Sequence, residues 1–221
     1  MLKSLNPPLK TKMFTGIVQA KGQVVTKRLS PEGEKLEIAV PMGFNKDLRE
    51  GASVSVNGVC LTVTEYSKER ISFDVIQETL RTTNLGDLNK TTEVNIERSL
   101  KFGDEVGGHL LSGHVSCACN ASLNRGEGEV EILVEKPLGW EDHIIPKGYV
   151  ALNGVSLTVG KVTDDNFSVF LIPETIKSTN LLSIEEGAKL NLEVDQNAMA
   201  CLLYTSPSPR DLSTSRMPSS A

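Results

Sequence analysis

The strongest constraint on this chain is that most of it is written twice. Residues 51–85, set against 147–181 without a gap, are identical at Val54, Asn57, Gly58, Val59, Leu61, Thr62, Val63, Ser72, Ile76, Glu78, Thr79, Thr83, Asn84 and Leu85, which is 14 of 35 positions. Chance would give roughly two, so the repeat is real. Its clearest part is NGVCLTV from Asn57 over NGVSLTV from Asn153, differing only at Cys60 and Ser156. At the same offset VNIE from Val94 meets LNLE from Leu190, and one residue further out of step TGIV from Thr15 meets SGHV from Ser112. Solenoid units recur at about 20–50 residues in several copies. Two copies 96 residues apart instead mean two similar domains, joined in the Gly-rich stretch KFGDEVGGHL from Lys101.

Inside each copy the hydrophobic period is two. Val54 and Val56 alternate with Ser53, Ser55 and Asn57; Ile71, Phe73 and Val75 with Ser72 and Asp74; Val130, Ile132 and Val134 with acidic or apolar neighbours; Leu190, Leu192 and Val194 with Asn191 and Glu193. Such alternation predicts half-buried antiparallel strands with one face in the core. Several short strands per copy, broken by NG, EG and GD turns, fit a small sandwich or a closed barrel, and closure removes exposed edges. Only FNKDLREG from Phe44, ETLRTTNLGDL from Glu78 and their counterparts GWEDHIIPKG and ETIKSTNLLSI read as short helices or turns. The expected architecture is all-β: two antiparallel barrels in tandem, residues 13–108 and 109–198.

The remaining segments are set aside. Residues 1–12, with three lysines and Pro7-Pro8, read as a disordered leader; residues 199–221 read as a cut-short helix and a Ser/Pro-rich tail that cannot pack a core. A net charge of −5 argues against nucleic-acid binding, which needs a basic face. No apolar run is long enough to span a bilayer. Of the four cysteines, Cys117 and Cys119 lie two apart with no second pair to complete a zinc site, so thiols and a reducing compartment are expected, and no metal. The expected location is the cytoplasm, with an organelle as the open alternative.

A doubled scaffold alone would repeat its turns and its apolar core positions. Here polar residues repeat too: Asn57/Asn153, Thr62/Thr158, Glu78-Thr79/Glu174-Thr175 and Thr83-Asn84/Thr179-Asn180. Such selection predicts two binding half-sites for two copies of one molecule. At matched places the first half has Ile17 and Cys60 where the second has His114 and Ser156, an asymmetry that would let identical ligands take different roles. Each residue also has a plainer reading: Cys60 as a small buried side chain, Ser156 as a partner of the Asn153-Gly154 turn, and His109 and His143 as ordinary histidines.

MFTGIVQAKG from Met13, GASVSVNGVCLTV from Gly51, ETLRTTNLGDL from Glu78, GGHLLSGHV from Gly107, NGVSLTVG from Asn153 and LIPETIKSTNL from Leu171 together closely resemble the riboflavin synthase family of lumazine-binding tandem barrels. The likeness runs from Met13 to about Ala198, with the motifs in order. It implies a pair of six-stranded Greek-key barrels and a cofactor-free dismutation of two 6,7-dimethyl-8-ribityllumazine molecules. One gives a four-carbon unit to the other, yielding riboflavin and 5-amino-6-ribitylaminouracil. It also implies a homotrimer whose active site forms between the first barrel of one subunit and the second barrel of another.

Carried over by position, the resemblance places lumazine on the first barrel with Gly16, Ile17 and Val18, with Cys60, Leu61 and Thr62, and with Asp74, Val75, Ile76, Gln77, Glu78 and Thr79. On the second it implicates Gly113, His114 and Val115, then Lys147, then Ser156, Leu157 and Thr158, and Leu171, Ile172, Pro173, Glu174, Thr175 and Ile176. His114 would assist proton transfer, and Ser156 and Cys60 would orient or supply a transient nucleophile with Thr158 as partner.

Two features depart from the family pattern. Asn153 stands where some members have aspartate. The C-terminal helix that holds the family's trimer is cut by Ser-Pro-Ser-Pro from Ser206, leaving about two turns. The rival function is a non-catalytic lumazine- or flavin-binding antenna protein of the same fold. A flavin reductase would need a nicotinamide-binding domain with a Gly-rich phosphate loop, and none is present.

Overall fold

The computed structural model describes residues 13–126, 128–183 and 187–205, with the side chains of 203–205 left aside. The leader 1–12 and the tail from residue 206 lie outside the described residues.

Among the described residues twelve strands build two closed barrels. The first holds β1 (Ala20–Ser30), β2 (Gly33–Ala39), β3 (Ser53–Val56), β4 (Val59–Tyr66), β5 (Arg70–Ile76) and β6 (Glu93–Arg98), in the order β1-β2-β5-β4-β3-β6 and back to β1. The second holds β7 (Cys117–Arg125), β8 (Val130–Glu135), β9 (Tyr149–Leu152), β10 (Val155–Val162), β11 (Asn166–Leu171) and β12 (Lys189–Val194), in the same cyclic order. All pairings are antiparallel, so the all-β tandem-barrel expectation holds. The NG turns close β3–β4 and β9–β10, with Asn57 at φ 46° and Asn153 at φ 47°, both followed by a left-handed glycine. Asn-Gly suits this because asparagine tolerates, and glycine favours, positive φ.

Each barrel has its own core. The first packs Leu36, Ile38, Ile71, Phe73, Val94 and Ile96 among others; the second packs Ile132, Val134, Phe167, Val169, Leu190 and Leu192. Short helices α1 (Gln77–Thr82) and α2 (Pro173–Ser178) follow β5 and β11, each leading into a tight turn at Asn84–Asp87 or Leu181–Ser183. Thr83 and Thr179 cap this passage in the same way. Each hydroxyl donates back to the carbonyl four residues earlier, Thr79 or Thr175, at 2.6 Å. The last helix, α3, spans Gln196–Thr205, nearly three turns against the two expected. Asp195 accepts from the Asn197 N–H at 3.0 Å at its start, and Met199 packs on the second core.

One expectation fails instructively. The alternation in β3 and β12, with β6 repeating β12 as VNIE repeats LNLE, predicts a polar face toward water, yet Ser55, Asn57, Asn95, Glu97, Asn191 and Glu193 are all at most 4% exposed. Their outer faces meet the other barrel across a local two-fold axis. At the axis the two NG turns touch, so a Cβ on Gly58 would come within 2.8 Å of Gly154 N, and one on Gly154 within 2.7 Å of Gly58 N.

Around this contact six asparagines knit the barrels together in matched pairs. The Asn84 N–H donates to Asn191 Oδ1 and the Asn180 N–H to Asn95 Oδ1, both at 2.7 Å. Asn84 Nδ2 donates to Asn153 Oδ1 at 2.9 Å, and Asn180 Nδ2 to Asn57 Oδ1 at 3.1 Å. Asn95 Nδ2 reaches the Asn153 carbonyl at 3.0 Å, and Asn191 Nδ2 the Asn57 carbonyl at 2.8 Å. The repeated pairs Asn57/Asn153 and Asn84/Asn180, expected to face ligand, thus form an inter-barrel interface. A two-fold contact between duplicated halves uses each position twice, so it demands matched polar residues as strictly as a doubled ligand site does.

Candidate active site

Ahead of each barrel runs a short extended segment, Phe14–Val18 before the first and Leu111–Val115 before the second. The two join at the axis through an antiparallel bridge, Phe14 N to Leu111 O at 2.8 Å and Leu111 N to Phe14 O at 3.0 Å. Phe14, Leu111 and Ala151 make a small third core there, and half-buried Cys60 packs against it.

A buried carboxylate then clamps each segment. Glu97 accepts from Thr15 N at 2.6 Å, Thr15 Oγ1 at 2.8 Å and Gly16 N at 3.1 Å. Glu193 accepts from Ser112 N at 2.7 Å, Ser112 Oγ at 2.8 Å and Gly113 N at 3.0 Å. Desolvation pushes Glu97 up to about 7, against the pull of its three donors, and shifts Glu193 in the same direction.

Beyond the clamps the segments cross. Gly16 O accepts from Ser156 N, and Gly113 O from Cys60 N, both at 2.9 Å. Val18 packs on the second core and Val115 on the first. The first-barrel grouping of Gly16, Ile17 and Val18 with Cys60, and the second-barrel grouping of Gly113, His114 and Val115 with Ser156, therefore need correcting. Gly16–Val18 lies against Ser156, and Gly113–Val115 against Cys60. Linear order favours neighbours within one repeat, but the bridge at Phe14 carries each segment over to the other barrel. Gly16 and Gly113 sit at φ 74° and 75°. A Cβ on either would fall 2.6 Å from the Cβ of Ser156 or Cys60, so only glycine permits the approach.

The strands next to these contacts are splayed. β4 pairs with β5 from Val63↔Phe73 outward, and β10 with β11 from Val159↔Val169 outward, each across a register shift. Cys60–Thr62 and Asp74–Ile76 thus flank a gap in the ladder, as do Ser156–Thr158 and Phe170–Ile172. Leu61, Val75, Leu157 and Leu171 bury their side chains in the cores, so what they offer a ligand is backbone. Thr62, Thr158, Asp74, Gln77, Glu78, Pro173 and Glu174 are exposed, while Thr79, Thr175 and Ile176 are half-buried. Ile17, Ile76 and Ile172 stand open to solvent in these same segments, at 49%, 54% and 63%. Lys147 is exposed at φ 66°, its N–H held by the Val159 carbonyl at 2.9 Å.

The histidines are redistributed. His114 is exposed on the segment that contacts Cys60, away from the Ser156 contact. His109, expected to be an ordinary histidine, places Nδ1 2.6 Å from Ser156 Oγ and stacks on Tyr149 at a centroid distance of 5.2 Å. It is buried, its Nε2 has no partner among the described residues, and desolvation lowers its pKa while the charge of Asp195 opposes the shift. A neutral imidazole beside a hydroxyl can take its proton. The only hint of this in the sequence was Gly107-Gly108 before His109. A Cβ on Gly108 would meet Thr15 O at 2.3 Å and Ser156 Cβ at 2.6 Å, so the chain passes too close there for a side chain. Among the described residues no cluster suited to a metal ion occurs, and no helix is long and apolar enough to cross a membrane.

The family profile described as the lumazine binding domain matches twice, over residues 15–99 and 112–195. The riboflavin synthase of Escherichia coli K12 is 42% identical over 190 residues, spanning 85% of this chain and 89% of its own length. The chain belongs to the riboflavin synthase family. It is therefore an enzyme. The riboflavin synthase of Chlamydia pneumoniae is likewise 42% identical, over 84% of this chain and 91% of its own, and that of Mycobacterium bovis 37% identical over 83% and 93%. Among solved structures, LumP complexed with riboflavin superposes with a TM-score of 0.76 at 25% identity, covering 83% of this chain and 100% of LumP. LumP complexed with 6,7-dimethyl-8-(1'-D-ribityl) lumazine gives 0.75 at 24%, a likeness of fold. For this riboflavin synthase family member, each profile match begins at the clamped segment and ends at or just past the clamping glutamate's strand.

Proposed function

We propose that the chain converts two molecules of 6,7-dimethyl-8-ribityllumazine into riboflavin and 5-amino-6-ribitylaminouracil, by transfer of a four-carbon unit and without a cofactor. The observation that carries this reading is the crossed pair of matching half-sites, alike in backbone and clamp but differing in Cys60 against Ser156 and Ile17 against His114. Identical substrates would occupy both, one per lumazine-binding unit (13–108 and 109–198), and the differing side chains would set donor and acceptor apart.

At each half-site the ladder gap beside Cys60–Thr62 or Ser156–Thr158 receives the pyrimidine edge through backbone N–H and C=O groups, as an added strand would. Thr62, Thr158, Glu78 and Glu174 hold ribityl hydroxyls, and Lys147 steadies the second site. The C7 methyl proton of the lumazine is acidic because its carbanion delocalises into the ring, so modest bases suffice. Holding two rings face to face supplies the larger part, on the order of 7–11 kcal/mol. Ser156, its proton drawn toward His109, adds to the acceptor ring or orients water that does; Thr158 supports that group. His114 moves the methyl proton at the other half-site, beside Cys60.

The open isoleucines at both half-sites favour a face that a second subunit covers, in a cytoplasmic homotrimer with the first barrel of one copy against the second barrel of another. The test is to incubate the purified protein with the lumazine alone and follow substrate and both products. Two lumazines lost per riboflavin, with no added cofactor, is the expected result. Binding without turnover would instead make the protein an antenna-type binder or a synthase whose subunits do not meet, which its oligomeric state would separate.

A further inference from the structure

One pair of nucleophiles plays no part in the site. Cys117 and Cys119 sit on the same face of β7, their sulfurs 3.4 Å apart. Cys119 is buried in the second core; Cys117 is half-buried at its edge. We propose that Cys117 and Cys119 form a reversible thiol–disulfide modification site that takes up oxidising equivalents from small-molecule disulfides.

The chemistry proceeds in two exchanges. The Cys117 thiolate attacks one sulfur of a small disulfide, forming a mixed disulfide and releasing one thiolate. Cys119, losing its proton, then attacks the Cys117 sulfur, closing the protein disulfide and releasing the second thiolate. Two protein thiols are oxidised and one small disulfide is reduced to two thiols. The roles suit the environment. The hydrogen bond from Cys119 lowers the pKa of Cys117, making it the attacking thiol, while the buried Cys119 keeps its proton until the mixed disulfide forms.

Strand geometry makes the site responsive rather than permanent. Residues two apart on a strand have Cα atoms about 6.6 Å apart, whereas disulfides favour about 5.5–6 Å, so closing this one shortens β7 by roughly 1 Å. Such a strained bond has a high reduction potential and is readily reopened by thiols. The strain falls where β7 pairs with β12, at Leu192↔Cys117 and Leu190↔Cys119. The next β12 residue is Glu193, the clamp on Ser112 and Gly113, and Ser116 N donates to the Leu192 carbonyl at 2.7 Å. Oxidation therefore pulls on the segment that carries His114. This consequence for the ligand rests on the proposed function; the disulfide itself does not.

The experiment treats the full-length reduced protein with glutathione disulfide, alkylates remaining thiols, digests with trypsin and weighs the peptide Phe102–Arg125. That peptide holds Cys117 and Cys119 and no other cysteine. Expected is a peptide lighter by two hydrogens and unalkylated, restored by dithiothreitol and absent in Cys117→Ser and Cys119→Ser. Recovery of both thiols alkylated, or of a lasting glutathione adduct on Cys117, overturns the site. In parallel, lumazine affinity should fall about tenfold on oxidation, the size of a lost charge-assisted hydrogen bond, and recover on reduction. Unchanged affinity in the oxidised protein overturns the coupling through β12. No lumazine binding by the reduced protein would count against the proposed function alone.

Discussion

Glu97 shows how a single residue can tie the candidate site to pH. Its carboxyl lies under three donors, an arrangement that favours the anion, yet its burial costs more and lifts it from 4.5 to about 7. With the folded value above the unfolded one, the native state holds the extra proton between those limits. The contribution of Glu97 to stability is then fully present below about pH 4.5 and is lost as pH rises through about 7, some 3 kcal/mol in all. Glu97→Gln keeps an acceptor and removes the titration. Urea unfolding from pH 4.5 to 8 should show wild type losing stability relative to the variant as pH rises, and parallel curves would refute the shift. His109 makes a second prediction at this scale. His109→Ala should lower kcat about 10²-fold or more, as for the loss of a general base, while lumazine affinity changes little. An unchanged kcat would remove His109 from the mechanism. Gly108→Ala should disturb Ser156 sterically, and soluble, fully active protein would contradict the 2.3 Å approach to Thr15 O.

At the level of elements, the duplicated strands have diverged by moving bulk along the strand, with a net difference of one methylene. In β5 the core pair is Ile71 and Phe73; in β11 the same positions are Phe167 and Val169, so the aromatic ring has moved two residues along the strand. All four are at most 1% exposed, and their cross-strand partners are Ile38 and Leu36 in one barrel, Val134 and Ile132 in the other. Phe73→Ala should cost about 3–5 kcal/mol through the cavity it leaves. The double change Ile71→Phe with Phe73→Val, which writes the second barrel's pattern into the first, should cost less than about 1.5 kcal/mol by chemical denaturation. A double variant as unstable as the single one would show that the two cores are not interchangeable. Such strands were legible because a period of two needs only local information, and the NG turns fixed where they reverse. The crossing of Gly16 and Gly113 was not, since nothing local says which barrel an extended segment will touch. Nor was the bond between His109 and Ser156, whose partners lie 47 residues apart on different elements. The clamping glutamates were in view, in VNIE and LNLE, but alternation assigned them to the solvent face.

For the whole molecule, the asparagine network decides whether this is one body or two barrels on a tether. Replicated polar residues were read as ligand contacts because burial between domains is invisible to a one-dimensional pattern; Asn57, Asn84, Asn153 and Asn180 spend their hydrogen bonds on one another, on Asn95 and Asn191, and on nearby backbone carbonyls. Since Ser156 meets Gly16 from the segment before the first barrel and Cys60 meets Gly113 from the segment before the second, loss of this interface dismantles both half-sites even if each barrel stays folded. Asn84→Asp tests this with little change of shape. Asn84 Nδ2 now donates to Asn153 Oδ1 and to the Lys189 carbonyl at 3.0 Å, and a carboxylate would set an acceptor and a charge against both. The variant should lose about 3 kcal/mol or more of stability near neutral pH, regain part of it as the carboxyl is protonated in acid, and bind lumazine weakly in proportion to that loss. Asn84→Ala, which removes the donor to Asn153 Oδ1 and the Lys189 carbonyl and the acceptor of Asn191 Nδ2 without adding charge, should cost about 1–3 kcal/mol with no such pH dependence. If both variants unfold as wild type does and keep full affinity, the network is incidental, and the barrels are held together by Phe14, Leu111, the touching NG turns and the crossed segments.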